Sequence, residues 1–183
     1  MRCAIVLLFC FLSLQGSELN IANALKKASL KHNIDKKILY TIAKIESRFN
    51  PHIIAFTNRN KWHNVSNEKI VIKNIPYSKN KYLVQIKAEK EILKQVALQL
   101  ISQGISVDMG LMQVNSKNIS KDEIEHIFEL DYNIDKSISI FKSCIKAKTN
   151  IKDSIECYNK GYKIPKNYDY YKKFQASFVK DFG

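Results

Sequence analysis

The chain has 183 residues, enough for one domain with a real core, and carries 30 Lys+Arg against 17 Asp+Glu, a net charge of +13. Only three of those cations are arginines. With no arginine cluster and no RNA- or DNA-binding motif, a specific nucleic-acid reader is excluded. The sequence also lacks a phosphate loop and a serine-nucleophile elbow.

Residues 1–17 read as an export signal, with Arg2, an apolar run from Cys3 to Leu12, and polar Gln15, Gly16 and Ser17. The run is too short to span a bilayer, so the expectation is a soluble periplasmic protein without stable membrane insertion. Cleavage near Gly16 or Ser17 removes Arg2 and leaves a charge of +12. It also removes Cys3 and Cys10, leaving Cys144 and Cys157. An even pair in an oxidising compartment reads as a disulfide rather than a metal site. The four histidines (His32, His52, His63, His126) show no ligand spacing, and no metal or cofactor is expected. Diffuse lysines on an exported chain suit an anionic envelope polymer, with plain solubility as the alternative.

Leu19–Lys31 reads as a helix with Ile21, Ala24, Leu25 and Ala28 on one face. Asp35 is the candidate N-cap of a second helix reaching Phe49. At about 100° per residue, Ile38, Ile42, Ile45 and Phe49 form one apolar stripe, widened by Leu39 and Ala43. Glu46 falls inside this stripe, between Ile42 and Leu39, whereas Lys36, Lys37, Lys44 and Arg48 fall outside. A carboxylate there must be paired, neutralised or used. It is either a general acid with a raised pKa or half of an ion pair. Pro51 to Tyr82 breaks the helical pattern, with strands over Glu68–Ile75 and Lys81–Ile86. Glu89–Gln103 is a helix stopped by Gly104. Ser120 and Glu123 form a capping box for a short helix to Phe128. Ile134, Ile138, Phe141 and Ile145 mark the next helix. Ile151–Lys160 follows between Asn150 and Gly161, and a last helix covers Tyr170–Val179. A Cys144–Cys157 bridge would staple two consecutive helices.

Three segments carry the chemistry: Glu46-Ser47-Arg48-Phe49-Asn50-Pro51, Gly110-Leu111-Met112-Gln113-Val114-Asn115, and Cys157-Tyr158-Asn159-Lys160-Gly161. In this order they resemble the lytic transglycosylases with an SLT-type, goose-type-lysozyme-like catalytic domain. That family carries E-S-x-F-N-P, then G-L-M-Q, then A-Y-N-x-G. Cys157 departs from the usual small residue before Tyr-Asn, as a disulfide there would allow. The resemblance implies a mainly α, lysozyme-like α+β domain over residues 18–183. It implies cleavage of the β-1,4 bond between N-acetylmuramic acid and N-acetylglucosamine in peptidoglycan, leaving a 1,6-anhydromuramoyl end. Glu46 matches the single catalytic acid/base. Ser47, Gln113, Asn115 and the Met112 backbone fall at substrate-site positions. Tyr158 matches the residue whose hydroxyl lies near the glutamate, and Asn159 supports its loop.

Ordinary glycosidases use two carboxyl groups across the bond. Asp108, just before Gly110, reads as a loop or capping residue, so a one-carboxylate mechanism is expected. Glu46 would give its proton to the leaving oxygen, then take one from the sugar's own C6 hydroxyl as that oxygen attacks. About sixty residues separate Pro51 from Gly110, where many relatives have a short loop. This insertion, residues 57–84, resembles that of the specialised enzymes of type IV secretion and conjugation, which implies secretion-system components as partners beside peptidoglycan strands. It carries the sole tryptophan, Trp62, expected to offer an exposed indole to a sugar or a partner protein. The alternatives are a hydrolytic muramidase and a non-catalytic wall-binding scaffold.

Overall fold

The computed structural model describes residues 19–63, 69–163 and 166–183. The export-signal expectation over residues 1–17 lies outside them. The fold is mainly helical, α+β, with a small antiparallel sheet. The first helix, α1, covers residues 19–32 and buries Ile21, Ala24, Leu25 and Ala28, the face its periodicity selects. Next, α2 spans Lys36–Ser47. The Asp35 side chain accepts from the Lys37 amide at its start, satisfying one of the open N–H groups of the first turn. It ends because Arg48 (φ 56°) and Phe49 (φ 61°) both turn left-handed.

The segment after Pro51 is a sheet. Strands β1 (Ile53–Asn58), β2 (Val71–Ser78) and β3 (Lys81–Lys87) are joined by two short strands, β4 (Asp108–Met109) and β5 (Val114–Asn115). The order across the sheet is β2-β3-β1-β4-β5, every pairing antiparallel. The hairpin falls where alternation predicts it, but β1 does not alternate: Ile53, Ile54, Ala55 and Phe56 are all buried. Trp62 corrects an expectation. Its indole is half-buried, edge-to-face on Phe56 with ring centroids 4.9 Å apart. Its backbone N–H and C=O are both held by the Asn74 side chain, at 2.9 and 2.8 Å. Trp62 therefore packs the inner face of the hairpin rather than standing free.

Helix α3 (Lys90–Ser102) leads to Gly104, whose φ of 75° makes the left-handed turn that stops it. The capping-box segment is shorter than expected, a single 3₁₀ turn at Asp122–Glu125, although Ser120 N–H does donate to Glu123 at 2.7 Å. Helices α4 (Leu130–Ala147), α5 (Ile151–Lys160) and α6 (Asp169–Phe182) complete the wall opposite the sheet. Ile145 of α4, expected inside, is exposed. Cys144 and Cys157 form a disulfide between α4 and α5, Cα–Cα 5.8 Å. Among the described residues no helix is long and apolar enough to cross a membrane.

Candidate active site

Glu46 sits in the last turn of α2, where amphipathic placement carries it into the protein. Its Oε1 accepts a hydrogen bond from the Tyr170 hydroxyl at 2.5 Å. Burial disfavours the charged form and pushes its carboxyl up to about 7. The Tyr170 hydrogen bond and the Lys173 charge work the other way, and the charge of Asp108 pushes it further up. At neutral pH the group is therefore divided between acid and carboxylate, so a carboxyl in this place can both give and take a proton.

Tyr170 is delivered by the first turn of α6. Glu156 of α5, 1% exposed, accepts from the Tyr170 and Tyr171 amides at 3.4 and 2.7 Å. A carboxylate is favourable at a helix N-terminus, and here it fixes where α6 starts. Sequence reading assigned this tyrosine only to a helix. The motif match expects the hydroxyl of Tyr158 near the glutamate; that hydroxyl donates to the Met112 carbonyl at 2.7 Å and lies within electrostatic reach of Glu46. The Tyr158 ring lies 6.5 Å from that of Tyr170. Burial, and then the nearby Glu46 charge, raise both phenols well above their usual range, so both remain proton donors.

Asp108 is the second correction. It is no capping residue. β4 presents it to the same groove as Glu46, and burial raises its carboxyl, opposed by the Asn115 amide that donates to it at 2.6 Å. Ser106 in turn donates to Asn115 at 3.0 Å. The site thus holds two carboxyl groups within electrostatic reach of each other.

The β4–β5 turn is built on Gly110 (φ 77°) and Gln113 (φ 48°). Asn133, 1% exposed, accepts from the Met112 amide at 2.8 Å and donates to the Met109 and Ile127 carbonyls at 3.0 and 2.9 Å. The Met112 N–H is thus taken by Asn133, and the Met112 carbonyl accepts from Tyr158. The Gln113 side-chain amide donates to the Gly110 carbonyl at 2.8 Å.

Of the residues expected at the site, Glu46, Gln113, Asn115, Tyr158 and Asn159 line one groove of about 620 Å³, with the disulfide sulfurs' residues, Cys144 and Cys157, in its wall. Met112 is fully buried beneath it. Ser47 is also buried and closes the end of α2, donating to the Ala43 carbonyl and accepting from the Asn50 amide, both at 3.2 Å. Asp108 and Tyr170 are the additions, and both depend on contacts between segments far apart in sequence.

Residues 23–178 match the model of the Transglycosylase SLT domain family. No curated protein and no solved structure matches the chain.

Proposed function

The chain belongs to the Transglycosylase SLT domain family, a family of glycan-cleaving enzymes acting on peptidoglycan, and from that premise we propose that it cleaves the β-1,4 bond between N-acetylmuramic acid and N-acetylglucosamine with Glu46 as its acid and base. The observation that carries this reading is Glu46 itself, raised to about 7 and held by Tyr170 at a groove wall.

Protonated Glu46 gives its proton to the leaving glycosidic oxygen as the anomeric C–O bond breaks. Positive charge develops on the sugar ring, and the Asp108 carboxylate, on the same groove, stabilises it. Glu46, now a carboxylate hydrogen-bonded by Tyr170, takes the proton of the C6 hydroxyl as that oxygen bonds to the anomeric carbon. The product is a 1,6-anhydro end, and no water is consumed.

Asp108 favours a second reading. Two carboxyl groups flanking one bond also serve hydrolysis, in which water rather than the C6 oxygen is the final acceptor. Digesting sacculi in water labelled with heavy oxygen separates the two: the transglycosylase reading predicts unlabelled anhydro ends, and hydrolysis predicts label at new reducing ends. A scaffold would release no muropeptide at all.

The export pattern of residues 1–17 supports action in the periplasm. The hairpin built into the 57–84 insertion supports a specialised role, local wall opening for a secretion or conjugation apparatus rather than general turnover.

A further inference from the structure

The register of the sheet ties the hairpin to the chemistry. Lys73 pairs with Gln85, Gln85 with Ala55, Ala55 with Asp108, and Asp108 with Asn115. Residues directly opposite on paired strands carry their side chains on one face. This row therefore puts Lys73, Gln85 and Ala55 on the same face as the groove residues Asp108 and Asn115. The alternate residues Ile54, Ile86, Met109 and Val114, each 1% exposed or less, form the core face. Ala55 contributes only a methyl group and is itself buried, 4% exposed, while Asp108 and Gln85 on either side of it stay half-buried at the surface of that face.

We infer that the outward face of the hairpin continues the catalytic groove as a further subsite, in which Gln85 binds the glycan and Lys73 binds a carboxylate of its peptide side chains. This rests on the peptidoglycan reading above. Strands are about 4.8 Å apart, which sets Gln85 about 10 Å and Lys73 about 14 Å from the Asp108 strand, the reach of a neighbouring disaccharide and its attached peptide. The adjacent row, Ile75–Leu83–Thr57, gives a partly apolar shoulder on which the C–H face of a sugar can lie. The charge agrees. Residues 53–87 hold seven cations and one acid, Glu68. Lys73 is exposed and forms no ion pair with a carboxylate among the described residues. The segment thus presents positive charge where a peptide-bearing strand presents negative charge.

The test compares glycan strands that keep their peptides with the same strands stripped by an amidase. Lys73→Glu should lower kcat/KM on peptide-bearing strands by about fivefold, the upper range for one exposed charge pair. The loss should appear in KM, with kcat and thermal midpoint unchanged. Stripped strands should be cut as by the wild type, and Lys73→Arg should keep the preference. Gln85→Ala should raise KM on both kinds of strand. Equal losses from Lys73→Glu on both substrates, or no loss on either, would overturn the subsite. A wild type that releases nothing from either substrate would overturn the peptidoglycan reading and the subsite with it.

Discussion

The hydroxyl of Tyr170 donates to Glu46 across 124 residues of sequence. The contact joins the first turn of α6 to the last turn of α2, and Glu156 of α5 holds the α6 end in place. Four influences with different signs then meet on one carboxyl: burial and Asp108 raise it, while Tyr170 and Lys173 lower it, and the balance stands at about 7.

Those signs make opposite predictions for two variants. The acid form of Glu46 is active in the first step, so activity should fall as pH rises through about 7. Tyr170→Phe removes a hydrogen bond that favours the carboxylate, so the alkaline limb of the pH–rate profile should move to higher pH. Asp108→Asn removes a negative charge that disfavours the carboxylate, so the limb should move to lower pH. Both variants should also lose rate. Profiles measured on solubilised strands decide this, and limbs that move together would contradict the assignment.

Gly110 holds the β4–β5 turn in a conformation that L side chains rarely adopt. An added Cβ would lie 2.3 Å from the Asn133 amide nitrogen. Asn133 cannot yield, because its amide group already serves three backbone partners. Gly110→Ala should cost about 3 kcal/mol or more, from backbone strain and broken buried hydrogen bonds. Thermal unfolding checks it, and a wild-type midpoint would remove Asn133 from its positioning role.

The Cys144–Cys157 bridge closes a span of 13 residues and stabilises by about 3 kcal/mol on the loop-entropy model. Cys157 directly precedes Tyr158, which holds the Met112 carbonyl. Reduction should therefore lower the thermal midpoint and weaken cleavage together. Cys144→Ser with Cys157→Ser should reproduce both effects without reductant. Alkylation of both thiols in non-reduced, denatured, periplasmically produced protein would argue against the bridge.

Local signals were legible in the sequence and long-range ones were not. Helix α5 runs from Ile151 to Lys160 as read, because Asn150 and Gly161 mark its ends within the segment itself. Glu46 stood out because helical period alone put a carboxyl in an apolar stripe. β1 stayed hidden since Ile53–Phe56 is buried on both faces and shows no alternation. β4 and β5 have two residues each, too few for any period. Asp108 looked like a turn residue because its burial and its Asn115 partner exist only once the strands pair. Trp62 misled because a lone tryptophan in a polar segment reads as a surface anchor, whereas Phe56 and Asn74 give it a packed place. Tyr170 carried no local mark distinguishing it from Tyr168 or Tyr171. Only its burial and its hydrogen bond to Glu46 select it.

The central claim is that Glu46 is the acid and base of a glycan-cleaving transglycosylase. The most direct measurement is the mass spectrum of muropeptides released from purified sacculi by the wild type and by Glu46→Gln. The wild type should release products ending in 1,6-anhydromuramic acid. Glu46→Gln should keep its fold and its binding to sacculi while losing cleavage by about a hundred- to ten-thousand-fold. Near-wild-type release by a folded Glu46→Gln, or reducing ends in place of anhydro ends from the wild type, would contradict the account.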